Sequence, residues 1–351
     1  MPALAPYSFW RLLTTPASGP WAIITLVAEI LAVAWYLRAV GLLRARGGSW
    51  PLKRSVYFVV GILNIALAWQ SGVAVYAGSV FTVHIVQHIA LMLTAPMLLA
   101  VSNPVTLASE TLSDTHRAVL NRVLSSKPWR MVSHPLPATI INFGLMYWFF
   151  LDHGIVLAMA HAPFMDTVNL AFLVAGALTW WPILSSDWIG RQQLPYPARI
   201  ALSFLGMPLD SFLVIALLPG GARVSIAPNM YNLGGVQAGA VVFWIIAEFI
   251  TGLGLSYVAA EWLRQERGVG RRFSKVMDER NVVVGGSGAA GWSAENAVRS
   301  DGWIRVPWAT GGLDPEARIG SPRPDSLRPS VPSRPAANDP SALGGSGLPT
   351  S

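Results

Sequence analysis

Between Ser55 and Ser109 the chain reads SVYFVVGILNIALAWQSGVAVYAGSVFTVHIVQHIALMLTAPMLLAVSNPVTLAS, without one Asp, Glu, Lys or Arg. A helix needs about 20 apolar residues to cross the hydrocarbon core of a bilayer, so this stretch is long enough for two passes with a tight return near Tyr76 to Val80. It reads as a transmembrane hairpin. The whole chain of 351 residues agrees, being 53% hydrophobic and 12% charged with mean hydropathy +0.46, where soluble domains carry about 25% charged residues. Scanning outward predicts spans at Trp21–Leu43, Ser55–Val75, Val80–Val101, Pro137–Met159, Phe164–Leu184, Ile200–Leu218 and Val236–Ala259. The expected fold is all-α: a polytopic membrane protein whose seven-transmembrane helix bundle fills residues 21–267, after an extracytoplasmic segment at residues 1–20.

Lys and Arg set the expected orientation. Arg44, Arg46, Lys53 and Arg54 follow the first span, Arg117, Arg122, Lys127 and Arg130 the third, Arg191 and Arg199 the fifth, and Arg264, Arg267, Arg271, Arg272 and Lys275 the seventh. The turns after the second and fourth spans carry neither, the turn after the sixth only Arg223, and the N-terminus only Arg11. An odd number of spans with the N-terminus outside and the C-terminus cytoplasmic satisfies this bias. Ala32-Val33-Ala34 mimics a signal cleavage site, but the apolar run is too long for a signal peptide and its charges lie on the wrong flank. The net charge of +7 sits in clusters between apolar runs, so it reads as a topology signal and not as a nucleic-acid surface. From Gly268 the composition turns to Gly, Pro, Ser, Ala and Arg, which predicts a disordered cytoplasmic tail over residues 268–351.

The absence of Cys excludes disulfides, thiolate zinc sites and iron–sulfur clusters. Any metal must be held by His, Met or carboxylate. On the third span His84 and His88 are four residues apart, on one helical face, with Met92 one turn further. That pattern suits either one metal ion or a pair of histidines hydrogen-bonding neighbouring helices. His153, Met159, His161 and Met165 cluster around the turn after the fourth span, on the same outer side. Imidazole and thioether ligands without thiolate favour copper, Cu(I) above all, while zinc remains open. His84-Ile85-Val86-Gln87-His88 has the His spacing of a zinc protease helix with Ile85 in place of the catalytic Glu, so no hydrolytic base is present. His116 and His134 read as interfacial or exposed. Glu29, Asp210 and Glu248 fall inside spans and predict either structural pairing or an ion pathway. Pro96, Pro104, Pro182, Pro208 and Pro219 are expected to kink or end helices, and Trp180, Trp181 and Trp188 to form an interfacial belt.

Leu43 to Leu107 resembles the CtaG family of bacterial cytochrome c oxidase assembly factors, which serve caa-type oxidases. The resemblance rests on Trp50-Pro51, Phe58 to Gly61, Tyr76, Phe81, His84-xxx-His88, Met92, Ala95-Pro96, Leu98-Leu99 and Asn103-Pro104. It resumes at Phe172 to Pro182 and at Gln237-Ala238-Gly239 with Trp244 and Glu248, covering roughly Trp21 to Arg267. It implies a non-enzymatic role in the plasma membrane of a bacterium: helping copper reach the binuclear centre of the oxidase subunit that holds copper and heme. His84 and His88 are then the primary ligands, with Met92, His153 and Met165 in support. The family pattern carries a second His-xxx-His where this chain has Met165 and Asn169, and an acidic residue where it has Gly235 and Val236. Two other expectations are kept: a heme-binding electron carrier using His84 or His88 with His153, and a proton-coupled transporter using Glu29, Asp210 and Glu248.

Overall fold

The computed structural model describes residues 8–152, 154–187, 193–218, 231 and 233–286. These residues form helices and no strand. In chain order the helices are α1 Phe9–Thr14, α2 Pro20–Ala45, α3 Leu52–Gln70, α4 Gly72–Ala77, α5 Phe81–His88, a π-helical segment Ile89–Thr94, α6 Ala95–Ser102 and α7 Pro104–Thr111. There follow α8 Asp114–Leu124, α9 Lys127–Val132, α10 Pro135–Leu151, α11 Gly154–Ala160, α12 Ala162–Leu184, α13 Tyr196–Leu217 and α14 Leu233–Gly286. Among the described residues six helical stretches are long and apolar enough to cross a membrane, and α10 with α11 makes a seventh if that pair, bent by 73°, counts as one. Exposed Ile23, Ile24, Val27, Ile30 and Leu31 on α2, and Ile245 and Phe249 on α14, leave apolar faces for lipid.

The third span, Phe81–Thr111, is the centre of the bundle: 72% of its apolar stretch is buried, against 22% for the first span. Lipid removes the hydrophobic drive between helices, so small residues and polar links set their contacts. Gly176 of α12 lies directly on the Met92 backbone carbonyl, where a Cβ has no room. On the other side, Tyr36 accepts from Trp50 Nε1 at 3.0 Å and donates to the Ser102 carbonyl at 3.0 Å. Its ring stacks on Phe58, with centroids 4.0 Å apart. Gly176→Val is expected to force α12 off the π segment, and overpacking of this kind costs about 1–3 kcal/mol even where only side chains must move. A lowered unfolding temperature and loss of monodisperse protein check this, with Gly144→Val, which faces open space, unchanged.

Two spans differ from the sequence expectation. The fourth ends at Leu151 instead of Met159, because Asp152 is extended (φ −117, ψ −155) and the chain turns back into α11. Gly154 permits the turn by lying against Phe149 Cα and the Trp148 carbonyl. The second ends at Gln70, where Ser71 is extended and its Oγ accepts from Val73 N at 3.1 Å to start α4. The last helix continues to Gly286, so residues 268–286, assigned to the tail by composition, have helical backbone. Arg271, Arg272, Lys275, Met277 and Glu279 in this stretch are good helix formers. Residues 287–351, and His153, Trp188, Arg191, Pro219 and Arg223, lie outside the described residues. His134 caps α10 by accepting from Leu136 N at 3.4 Å, and exposed His116 is bonded to Ser113 at 2.7 Å.

The end of the third span is fixed to the end of the fifth by a polar clamp. Asn103 is the non-glycine residue with positive φ among the described residues (φ 51, ψ 55), a conformation Asn tolerates. Its side chain accepts from Ser185 Oγ at 2.8 Å and Ser186 N at 3.2 Å, and donates to Ser186 Oγ at 2.6 Å. Asp187, 3% exposed, then accepts from Thr106 N at 2.7 Å, Thr106 Oγ1 at 2.5 Å, Val105 N at 3.2 Å and Trp181 Nε1 at 3.3 Å. A carboxylate here satisfies the free N–H groups that open α7 and complements its dipole.

Candidate metal centre

α5 places His84 and His88 one turn apart on one face, and each is 1% exposed. Their Nε2 atoms are 2.7 Å apart. Gln87, on the same helix, donates to the Ala68 carbonyl at 2.8 Å and anchors α5 to α3. Aromatic rings enclose the imidazoles: Phe172, Phe149 and Phe150 surround His88 at centroid distances of 4.5, 5.0 and 5.3 Å, and Phe81 and Phe149 stack parallel to His84.

The hydrogen bonds assign the protons. Tyr231 donates its hydroxyl proton to the Ala77 carbonyl at 2.6 Å, so at 3.3 Å from His84 Nδ1 its oxygen is left to accept. Burial pushes the Tyr231 phenol up from its ordinary value, which keeps that proton in place. His84 therefore carries its proton on Nδ1 and offers a bare Nε2, to which His88 Nε2–H donates. His88 Nδ1 is left as a bare acceptor, buried without a hydrogen-bond partner. Nitrogens 2.7 Å apart subtend about 85° at one ion if metal–nitrogen bonds are about 2.0 Å. Once the shared proton moves from His88 Nε2 to its bare Nδ1, the pair is a bidentate seat.

His84 lines a cavity of about 550 Å³ whose wall includes Trp69, Gln87, Met159, Met165, Asp166 and Asn169. Ala17 to Ala22, Ala74, Val75, Ala77, Gly78 and Pro163 also line the cavity. These are the segments before the first span and after the second and fourth, so they share one end of the bundle. One buried polar atom of the wall, Asn169 Oδ1, has no hydrogen-bond partner among the described residues. Thus Met165 shares the cavity with His84, together with Met159 and with Asn169, which stands where the family pattern has His. Among the described residues no group of three His, Cys, Asp or Glu side chains converges as a metal cage.

The remaining candidates fall elsewhere. Met92, two turns along from His84 and inside the π segment from Ile89 to Thr94, lines a second, smaller cavity with Asn142 and Asp210. His153 lies outside the described residues. Glu29 is buried beside Gln70, and Asp210 and Glu248 act on each other through space. Glu29 is thus apart from the other two. Sequence reasoning passed over Asp166, an acid inside the fifth span that the apolar run around it conceals. It also missed Tyr231, a lone aromatic in a loop, for which no periodic signal exists.

Comparison with known proteins adds the family. The chain is similar to a protein of Mycobacterium bovis and one of Mycobacterium tuberculosis, each called uncharacterized, at 29% identity over 272 residues, covering 73% of this chain and 41% of theirs. A third, from Mycobacterium leprae, is 28% identical over the same length. The chain therefore spans about two fifths of the length of these curated relatives. No solved structure matches. The profile of the family described as cytochrome c oxidase caa3 assembly factor matches residues 34–265, which takes in the His84/His88 pair, its aromatic enclosure and the Asn103/Asp187 clamp, and the chain belongs to that family (Caa3_CtaG).

Proposed function

We propose that the protein, as a non-enzymatic factor in the plasma membrane of a bacterium, passes Cu(I) to the oxidase subunit that carries the copper–heme centre. The observation that carries this reading is the buried His84/His88 pair, its Nε2 atoms 2.7 Å apart, at the wall of a cavity that also holds Met159, Met165 and Asp166. Imidazole and thioether suit Cu(I), and the Asp166 carboxylate offsets its charge. Copper is the cargo here. A bite of about 85° at the pair falls well short of the near-linear arrangement that two-coordinate Cu(I) favours. The pair therefore holds copper loosely enough for a thioether or a partner's imidazole to displace it. The charge bias of the loops supports a cavity at the extracytoplasmic end, with the N-terminus outside and the C-terminus in the cytoplasm. Binding requires the His88 proton to pass from Nε2 to its unpartnered Nδ1, a change of tautomer that releases no net proton, so affinity is expected to be flat with pH while both imidazoles are neutral.

The test is complementation. In a bacterium deleted for its family member, the wild-type chain is expected to restore oxidase activity and oxidase copper and to co-purify with the copper–heme subunit. Restored copper without any association with the subunit contradicts direct transfer. A finer check follows from Tyr231, which fixes the His84 ring as the outer-shell partner of a metal-bound imidazole does. Tyr231→Phe is expected to lower Cu(I) affinity about 10–100-fold in competition with a chromophoric Cu(I) chelator, with the helical content unchanged.

A further inference from the structure

The smaller cavity, of about 40 Å³, lies between α10, α12, α13, α14 and the π segment. Its polar lining is Thr139, Asn142, Thr179, Ser203, Asp210 and Thr251. Asp210 is 4% exposed and makes no hydrogen bond or ion pair to a described residue, while Asn142, also 4% exposed, has its Oδ1 buried without a partner. Thr179 and Ser203 commit their hydroxyl protons to the Ala175 and Arg199 carbonyls of their own helices, each at 3.0 Å. Each of these four side chains therefore has oxygen lone pairs to offer the cavity.

The surrounding backbone has the same character. Met92 and Leu93 belong to the π segment, and Pro182 and Pro208 interrupt α12 and α13 beside the cavity. Proline has no N–H, so the Leu178 and Phe204 carbonyls lose their intrahelical donors. Irregular helix at membrane depth is tolerated where it lines a polar cavity, and broken helices are a common setting for Na⁺ sites. Asp210 is the one carboxylate among the described lining residues, with Glu248 and Tyr147 acting on it from α14 and α10. An uncompensated carboxylate inside a bilayer is costly.

We propose that this cavity binds one dehydrated Na⁺ ion, held by the Asp210 carboxylate, Asn142 Oδ1 and the Thr179 and Ser203 hydroxyl oxygens. A monovalent cation neutralises one carboxylate, hard oxygen donors select a hard cation, and the cavity of about 40 Å³ has room for one bare ion among these oxygens. A single water donates to at most two of these oxygens and leaves the charge of an ionised Asp210 uncompensated.

The full chain in lipid nanodiscs provides the test. NaCl is expected to raise the unfolding temperature over choline chloride at equal ionic strength, by about 5 °C at a hundredfold excess over Kd, and radioactive Na⁺ to bind at one ion per chain. Asp210→Asn, a neutral isostere that folds without the ion, is expected to abolish both effects, and Asn142→Ala to weaken binding at least tenfold. His84→Ala/His88→Ala is expected to keep both. Equal unfolding temperatures in the two salts, or an unchanged Na⁺ response in Asp210→Asn, overturns the proposal. So does an infrared band of a protonated carboxyl group that persists in NaCl and vanishes in Asp210→Asn, which identifies a proton in place of the cation.

Discussion

A chain carrying His84→Ala and His88→Ala together is expected to insert in the membrane, to bind no Cu(I), and to leave oxidase activity at the level of the deletion strain. The two rings are each other's Nε2 partners, so removing both leaves no orphaned nitrogen between them, and the cost is the space they vacate among Phe81, Phe149, Phe150 and Phe172. The single variants are less clean, because removing one ring takes the partner from a buried polar atom, which costs about 1–3 kcal/mol. Should vacated volume itself weaken the fold, His84→Gln/His88→Gln keeps hydrogen-bonding capacity and much of the bulk without imidazole ligation. The Gln pair is expected to fold like wild type and still fail in oxidase maturation. Full oxidase activity in either double variant contradicts a copper seat on α5.

The largest effect on stability is expected at Asp187. Asp187→Ala removes the acceptor for Thr106 N, Thr106 Oγ1, Val105 N and Trp181 Nε1, and with it the cap on α7. Leaving two backbone N–H groups and an indole unpaired at a 3% exposed site is expected to cost about 3–5 kcal/mol. Asp187→Asn is expected to lose part of this, because an amide offers one acceptor oxygen where the carboxylate uses two. Thermal unfolding in detergent measures both, and a change within about 0.5 kcal/mol, the range of ordinary surface substitutions, contradicts the clamp.

The uninterrupted apolar run from Ser55 to Ser109 revealed the membrane bundle because a bilayer demands length and apolarity of each span, and both are properties of contiguous residues. Span ends were less legible. Leu151 closes the fourth span where composition continues to Met159, since the break comes from extended Asp152 and the close approach at Gly154, not from polarity. Helical spacing brought His84 and His88 together, while Met92, on the same span, lines a different cavity from His84, because spacing along a helix does not say which cavity each turn meets. Met165 reached the same cavity as His84 through tertiary packing, which the resemblance to the family anticipated and spacing alone did not. Tyr231 and Asp187 act through contacts spanning 147 and 81 residues of chain, and no local pattern encodes such pairs.

The most direct measurement is metal content by mass spectrometry on detergent-purified chain loaded with Cu(I) under reducing conditions, wild type beside His84→Ala/His88→Ala. Near-stoichiometric copper in the wild type, lost in the double variant, is the predicted result. Copper absent from both proteins, or retained in the double variant, contradicts the claim that the buried histidine pair holds the cargo.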